Sequence, residues 1–267
     1  MPLIDTHAHL WDRRFDDDRA AVLARMRVAG VTRHLDVGAD LVTSRLSVEL
    51  AARDSAVLAT AGVHPHSAEE AVSAAARAEL QALLDHPRIA AVGECGLDFF
   101  RNLAPVDVQT DVFAFHIREA QTRALPLVIH ERNAFKEVLA TLDDTGGNPQ
   151  GGVFHCFGHG IKKAESVIAR GFVLGLGGTT TRNEAWAQQL LPWVPLDHIV
   201  LETDAPYLIP HSLPRSGRNE PSYLPLVAEW IAMAKGITTQ HVIDATTETA
   251  LRLFGADRAW IPADGLA

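Results

Sequence analysis

Several residue types are scarce in this sequence, and each shortage excludes a class of protein. Only two of the 267 residues are cysteine, and neither belongs to a Cys-x-x-Cys pair. This excludes a disulfide scaffold and predicts the reduced thiols of a cytoplasmic protein. No apolar run reaches the roughly 18 residues that a membrane-spanning helix needs, so no membrane partner is predicted. The N-terminus has no basic segment before an apolar one, so no secretory signal is expected.

Positive charge is also scarce, and lysine most of all. The chain carries 24 Lys and Arg residues against 33 Asp and Glu, a formal net charge of −9, and four of the cations are lysines. This balance excludes a protein that envelops nucleic acid with a basic surface. It is compatible with a nucleic-acid substrate that is held locally through metal ions. Since 47% of the residues are hydrophobic and no linker interrupts the chain, we expect a single domain over residues 1–267.

Short apolar runs alternate with amphipathic stretches along most of the chain. Eight of these runs are predicted strands, at residues 3–9, 34–39, 58–64, 89–97, 127–130, 152–157, 172–177 and 199–204. Strands that alternate with helices pair in parallel through right-handed crossovers. Eight such repeats predict an α/β protein with the (β/α)₈ TIM-barrel fold. A doubly wound open sheet is the alternative, but no glycine-rich nucleotide turn follows the first strand.

The chain after the eighth strand has a different pattern. Four prolines interrupt residues 205–223, which predicts a long loop because proline cannot donate a backbone hydrogen bond within a helix or strand. Apolar residues then recur at helical spacing over 224–234 and 239–254. We expect two helices there to complete the domain.

Six of the eight predicted strands end in a histidine or a carboxylate. These residues are His7 and His9, His64, Glu94, His130, His155, and Glu202 with Asp204. Catalytic groups of a TIM barrel sit at the carboxyl ends of the strands, so we expect these side chains to share one rim. A lone histidine at a strand end is most often structural. Six such ends at one rim indicate a metal site instead.

The chemistry of these side chains suits divalent cations. Imidazole and carboxylate together favour Zn²⁺, Mn²⁺ or a related ion. Two ions about 3.5–4 Å apart can activate a water and stabilise phosphoryl transfer, and they need a group that bridges them. Many metallohydrolase barrels use a carboxylated lysine, but the four lysines here lie in helix-like segments. Glu94 is therefore the predicted bridge.

The two cysteines each follow a predicted ligand. Cys95 comes after Glu94, and Cys156 comes after His155. Because side chains alternate between the two faces of a strand, we expect both thiols to point away from the rim, towards the helices. We interpret them as packing residues rather than nucleophiles.

Seven short motifs follow one another in a fixed order: DTHAHL, GVHPH, GECGLDF, HERNA, FHCF, LETDAPYL and RNEP. From Asp5 to about Phe254, this set resembles the TatD family of metal-dependent deoxyribonucleases, a branch of the amidohydrolase-like TIM barrels. The resemblance implies one ion on three ligands, a second ion on two ligands, and one bridging carboxylate. The first three are His7, His9 and Asp204, the next two are His130 and His155, and the bridge is Glu94.

The resemblance also implies an activity and a substrate. It implies that two divalent ions (Mg²⁺, Mn²⁺ or Zn²⁺) support hydrolysis of DNA phosphodiester bonds, as a 3′–5′ exonuclease acting on strand ends. Asp204 and Glu94 are the predicted catalytic residues, and Asp204 would orient or deprotonate the attacking water. RNA is a further compatible substrate. DNA repair, DNA turnover and RNA processing all fit such an activity.

A second set of residues is expected near the rim. His64 is predicted to contact substrate or to support the ligands, and Asp5 is predicted to support the site. Arg132 and Arg218 lie in loops that should reach the rim, where they would contact phosphate. The sequence departs from the family at Gly158-His159-Gly160, where a Ser-Gly pair is usual. We expect His159 to alter the grip on substrate.

Two other functions are compatible with the same fold. A small-molecule metallohydrolase, a lactonase or amidase, would use this barrel, but the lack of a bridging lysine and the RNEP motif argue against it. A non-catalytic metal-binding scaffold would not need a complete ligand set. The oligomeric state is left open by the sequence, with a monomer favoured.

Overall fold

The computed structural model describes residues 1–255, so the end of the predicted domain lies outside the described residues. Within this range the chain forms eight strands: β1 Leu3–Ala8, β2 Val31–Val37, β3 Val57–Ala61, β4 Ile89–Asp98, β5 Leu127–Arg132, β6 Gly152–Phe154, β7 Phe172–Leu176 and β8 Ile199–Leu201. The α-helices there are α1 Arg19–Val28, α2 Leu41–Arg53, α3 Ala74–Leu84, α4 Val106–Arg123, α5 Phe135–Asp144, α6 Ile161–Ile168, α7 Glu184–Leu190, α8 Leu224–Lys235 and α9 Thr239–Phe254.

The eight strands belong to one sheet and are ordered in it as they are along the chain, from β1 to β8. Their pairing is parallel, and a helix follows every strand. Ala8 of β1 also forms a parallel bridge with Ala205, which follows β8. These features confirm the predicted (β/α)₈ TIM-barrel fold, and the doubly wound alternative is wrong.

The described chain divides into two compact units. Unit 1 comprises Met1–Asp36 and His155–Arg252, and unit 2 comprises Val37–Phe154 together with residues 253–255. Each has a buried apolar core of its own. Phe15 and Phe172 are buried in unit 1, and Leu58 and Phe113 are buried in unit 2. The expectation of a single domain over residues 1–267 stays a prediction.

Three predicted strands extend beyond the ends that the structure gives them. β3, β6 and β8 each stop three residues before the predicted runs do, so His64, His155 and Asp204 lie in the turns that follow them. The backbone explains two of the differences. Cys156 and Asp204 adopt left-handed conformations, with φ of 48° and 55°, which a strand ladder cannot continue. The side chains therefore leave from turns and not from the alternating faces of a strand.

The C-terminal part of the chain follows the prediction closely. Residues 205–223 form a loop that holds one short 3₁₀ turn at Pro221–Tyr223, and α8 and α9 succeed it. Proline in the first turn of α8 is compatible with helix, because an N–H there has no intrahelical acceptor. Across residues 1–255 the helices are too short or too polar to cross a membrane.

Candidate metal centre

The first group of candidate ligands lies in unit 1. His7, His9, His155 and Asp204 form this group, here named the Asp204 cluster. The Nε2 atoms of His7 and His9 are 3.2 Å apart, and Asp204 Oδ1 lies 3.7 Å and 3.3 Å from them, respectively. The His155 ring stacks on His7 with 4.1 Å between ring centroids. Three imidazoles and one carboxylate at these distances fit the donor preferences of Zn²⁺ and related divalent ions.

Backbone contacts between β1 and the turn after β8 position the Asp204 cluster. The Asp204 N–H donates to the His7 carbonyl at 2.8 Å, and the His9 N–H donates to the Ala205 carbonyl at 2.7 Å. Asp5, deeper along β1, accepts hydrogen bonds from the N–H of His7 and from both the N–H and the hydroxyl of Thr203. Asp5 thus fixes the residues next to two candidate ligands, as predicted for a supporting group.

The charges in unit 1 favour an anionic Asp204. Burial alone would raise its pKa, but the hydrogen bond with His9 and the charge of neighbouring histidines outweigh burial and lower the pKa. Asp5 behaves in the opposite way. Burial raises the pKa of Asp5 to about 7, although hydrogen bonds from Thr203 partly offset that rise. Asp204 is therefore the carboxylate suited to bind a cation at neutral pH.

The second group of candidate ligands lies in unit 2. It contains His64, His66, Glu94, Asp98 and His130, and is named the Glu94 cluster. Glu94 Oε1 lies 3.1 Å from His130 Nδ1 and 3.7 Å from His64 Nε2. Asp98 Oδ2 lies 3.1 Å from His130 Nε2 and 2.8 Å from His66 Nε2. Ligand atoms of His64, Glu94 and His130 converge closely enough to share one ion.

His130 provides a chemical test of whether this cluster fits a cation. Its two ring nitrogens face two carboxylates, Glu94 and Asp98. Ionised carboxylates only accept hydrogen bonds, so this arrangement needs either a doubly protonated imidazole or a cation in place of one proton. Burial would raise the pKa of Asp98, but the hydrogen bonds that it accepts hold the pKa well below its ordinary value. Asp98 is thus ionised, and the cluster fits a divalent ion on the Glu94 side of the ring.

Asp98 and His66 were missed by the analysis of the sequence. Asp98 had a usable signal, because it lies four residues after Glu94 on β4, and side chains at even spacing along a strand share a face. His66 had no such signal, because it follows the end of β3 and lies in a 3₁₀ turn at Pro65–Ala71. Asp98 is also held by the backbone N–H groups of Phe100 and Arg101.

Glu202 and Cys156 form a part-buried contact beside His155. Glu202 Oε1 accepts from the Cys156 N–H at 2.5 Å and lies 3.7 Å from His155 Nδ1. Glu202 is fully buried, and its Oε2 atom has no hydrogen-bond partner within residues 1–255. The thiol of Cys156 lies with the donor atoms of these two residues. The expectation that Cys156 points towards the helices is therefore wrong, because strand alternation ends at Phe154.

Cys95 and the two predicted phosphate-contacting arginines have identifiable partners. The Cys95 thiol is buried and approaches the Val128 carbonyl at 3.7 Å, which suits a packing residue. The Arg132 guanidinium stacks over the Phe100 ring at 3.9 Å. Arg218 donates two hydrogen bonds of 2.7 Å to Asp18. Asp18 thus orients Arg218, and phosphate contact by either arginine stays a prediction.

Within each unit, the structure brings together part of the predicted ligand set. His7, His9 and Asp204 come together as predicted, and His155 joins them. His64, predicted as a substrate or supporting residue, instead lies with Glu94 and His130. The pairing of His130 with His155 and the bridging role of Glu94 stay predictions.

Comparison with known proteins places the chain in a family. Residues 4–255 match the model of the family described as TatD related DNase. The chain is 36% identical over 253 residues to the uncharacterized metal-dependent hydrolase YabD of Bacillus subtilis, covering 94% of this chain and 98% of YabD. It is 38% identical over 257 residues to the 3′–5′ ssDNA/RNA exonuclease TatD of Cronobacter sakazakii, covering 94% and 97%.

A solved structure shows the same relationship. YjjV, a TatD homologue from Escherichia coli K12, superposes with a TM-score of 0.88 at 26% identity and covers 94% of this chain and 97% of its own. The family match over residues 4–255 includes every motif on which the resemblance was based. The chain belongs to the family of TatD-related DNases, which are metal-dependent hydrolases.

Proposed function

We propose that this protein is a two-metal exonuclease that removes nucleotides from the 3′ end of single-stranded DNA or RNA. The observation that carries the proposal is the Asp204 cluster, where three imidazoles surround an ionised carboxylate. The name of the Cronobacter sakazakii relative, a 3′–5′ ssDNA/RNA exonuclease, supports the direction and the substrate.

The two clusters would each hold one divalent ion, Mg²⁺, Mn²⁺ or Zn²⁺. His7, His9 and Asp204 would bind the first ion with His155 beside them, and His64 and His130 would bind the second. Glu94 would bridge the two, as the family resemblance implies. When bound, such a pair of ions polarises the phosphate and lowers the pKa of a water molecule.

Asp204 is the residue proposed to handle the proton. Its side chain is ionised, and 13% of its surface is exposed, so it remains accessible to a water molecule. The hydrogen bonds between its backbone and His7, and between Asp5 and Thr203, hold the carboxylate in one place. Asp204 would therefore accept the proton of the attacking water without first reorganising.

The small-molecule alternative has less support. A carboxylated lysine would have to lie at a strand end, but the four lysines of the chain lie in helices α5, α6 and α8. Two of its relatives are named as a nuclease and as a metal-dependent hydrolase. Phosphodiester hydrolysis is the reaction that both the residues and the relatives support.

The proposal is tested with oligonucleotides labelled at either end. Protein loaded with Mg²⁺ or Mn²⁺ should shorten a 5′-labelled single strand one nucleotide at a time, whereas a 3′-labelled strand should lose its label at the first step. A blocked 3′ end serves as the control and should prevent degradation. Hydrolysis of model lactones with no action on either strand would replace the proposal with the small-molecule alternative.

A further inference from the structure

A cavity of about 440 Å³ lies beside the turn that follows β6, entirely within unit 1. Its walls come from that turn, from the first turn of α6 and from α7. Four of its lining residues carry the chemistry, and the cavity is named here the Trp186 cavity after one of them. They are His159, Lys162, Lys163 and Trp186.

One wall of the cavity concentrates positive charge. Lys162 and Lys163 are two of the four lysines in a chain of net charge −9, and they lie in the first turn of α6. Gly160 is the N-cap of this helix and has no side chain to accept from the first N–H groups. Partial positive charge of the helix end thus adds to that of the two ammonium groups. This wall suits a phosphate.

Helix α7 contributes an aromatic side chain, Trp186, to the lining of the cavity. The Trp186 indole N–H donates to the His159 carbonyl at 2.8 Å, so the ring is held in one orientation at the edge of the cavity. Lys163 Nζ donates to His159 Nδ1 at 3.2 Å, which links Lys163 and Trp186 through one residue. Proteins that bind single-stranded nucleic acids combine a fixed aromatic ring with nearby cations. A base stacks on the ring, and a phosphate lies against the cations.

The cavity is also close to the Asp204 cluster along the chain. His159 comes four residues after His155, and four residues span at most about 14 Å even when fully extended. His159 and Gly160 belong to the turn between β6 and α6, and both line the cavity. The turn that carries His155 thus also contributes a wall of the cavity.

We propose that the Trp186 cavity binds one nucleotide of the strand whose end is hydrolysed at the Asp204 cluster. The phosphate would lie against Lys162, Lys163 and the start of α6, and the base would stack on Trp186. The inference rests on the proposed nuclease function and adds a second contact point for the strand. Such a contact would give a strand longer than a dinucleotide an advantage in binding.

The first test is the binding of a fluorescein-labelled 12-nucleotide single strand, measured by anisotropy in excess chelator so that no hydrolysis occurs. Trp186→Ala and Lys162→Ala should each weaken binding by about tenfold. Trp193→Ala and Arg53→Ala are matched controls, since Trp193 is 38% exposed elsewhere in unit 1 and Arg53 is an exposed cation at the end of α2. Both should bind as the unaltered protein does.

The salt dependence of strand binding distinguishes the contribution of Lys162 from that of Trp186. Loss of a phosphate contact reduces the slope of log affinity against log salt by about 0.7 for a single strand, so Lys162→Ala should have a shallower slope. Trp186→Ala should keep the full slope, because stacking releases no counterions. Trp186→Phe, which keeps an aromatic ring, should recover part of the affinity. Native affinity in both alanine variants would overturn the proposal.

Hydrolysis assays distinguish failure of this proposal from failure of the proposed function. With Mn²⁺ present, Trp186→Ala should raise the KM for the oligonucleotide and leave hydrolysis of bis(p-nitrophenyl) phosphate unchanged, because that ester has no second nucleotide for the cavity to bind. An equal loss on both substrates would overturn the cavity assignment. If the unaltered protein hydrolyses neither substrate, the nuclease function fails, whereas the binding measurements still decide the role of the cavity.

Discussion

Asp204 combines an unusual backbone conformation with a position among three candidate ligands. Its φ of 55° is left-handed, a region in which Asp and Asn are several-fold enriched over other residues that have a Cβ. The turn therefore restricts the residue types that this position accepts. A substitution that tests the carboxylate must preserve that backbone, and asparagine does so.

We predict that Asp204→Asn folds, retains at least one ion and loses roughly two or more orders of magnitude in turnover, the usual cost of removing an acid–base group. The amide oxygen can still face a cation, but it is a poor base. Turnover would be measured on a short single strand at saturating Mn²⁺, so that weaker ion binding does not contribute. Near-native turnover under those conditions would move the base role to Glu202 or His64.

Asp98 makes a different prediction, because it contacts His130 and not the proposed ion. Asp98→Asn removes the charge that faces His130 Nε2 at 3.1 Å. Loss of such an orienting group commonly weakens metal binding by about 10–100-fold. Calorimetric titration with Mn²⁺ should show that loss at one of two sites, with turnover at saturating metal much less affected.

Glu119→Gln is the matched control for Asp98→Asn. Glu119 is also a buried carboxylate, but it accepts hydrogen bonds from Gln81 and Arg123 and belongs to neither cluster. Its substitution should leave both affinities unchanged. If Asp98→Asn binds two ions as tightly as the unaltered protein, Asp98 does not orient His130.

At the scale of elements, helix α4 supports the turn after β3 through one buried histidine. The N–H of Val63, next to His64, donates to His116 Nε2 at 2.9 Å, and His116 Nδ1 contacts the Val112 carbonyl at 2.7 Å. The neutral ring satisfies both contacts, since Nδ1 donates and Nε2 accepts. Burial lowers the pKa of His116 from 6.5 to about 4. Protonation of the ring would break the contact with Val63.

This depressed pKa predicts an acid-sensitive contribution to stability. The unfolded chain takes up the proton near pH 6.5 and the folded chain only near pH 4. The stabilisation that neutral His116 contributes to the folded state is therefore complete above pH 6.5 and is lost as the pH falls to 4. Over that window it amounts to about 3 kcal/mol. His116→Gln, which does not titrate, should lose less of its unfolding free energy between pH 7 and pH 4.5, as measured by urea denaturation.

His241→Gln provides the control for this measurement. His241 is exposed on α9, so its removal should leave the pH dependence of the unaltered protein in place. An identical pH dependence in His116→Gln and the unaltered protein would show that the contact between α4 and the turn after β3 does not govern acid stability.

The order of the elements could be predicted from the sequence, whereas their ends could not. A strand of a parallel sheet buries both faces and reads as an apolar run, whereas a helix that covers the sheet buries one face and reads as an amphipathic stretch. The two patterns therefore specify the order of strands and helices. The ends depend on single backbone conformations, such as the left-handed Cys156 and Asp204, and apolar patterning contains no signal for these. The wrong orientation predicted for Cys156 follows directly from that gap.

At the scale of the whole molecule, the candidate ligands could be found from the sequence because the fold places strand ends together. Their grouping could be predicted only in part. His7, His9 and Asp204 lie together, as the resemblance implied. The place of His64 beside Glu94 and His130, and the stacking of His155 on His7, were not predicted. Ring orientation and turn geometry decide which histidines converge, and neither produces a recurring pattern of residues in the sequence.

The whole molecule should also depend on divalent ions for stability. Two clusters hold buried or half-buried histidines and carboxylates close together. Without a cation, the groups of each cluster repel one another or must take up protons. A bound cation removes both costs. A ligand at 100 times its Kd stabilises the folded state by about 2.7 kcal/mol. For a chain of this size, such a change corresponds to a shift in Tm of roughly 5–10 °C.

We therefore predict that excess chelator lowers the Tm by several degrees and abolishes nuclease activity, and that Mg²⁺ or Mn²⁺ restores both. The Tm is measured by differential scanning calorimetry and the activity with a labelled single strand, each at matched ionic strength so that screening does not contribute. Sodium chloride in place of the divalent salt is the control and should restore neither. Elemental analysis must confirm that the chelated protein has lost its metal. Full activity in that metal-free protein would contradict the two-metal proposal, because neither cluster would then supply the chemistry that its imidazoles and carboxylates predict.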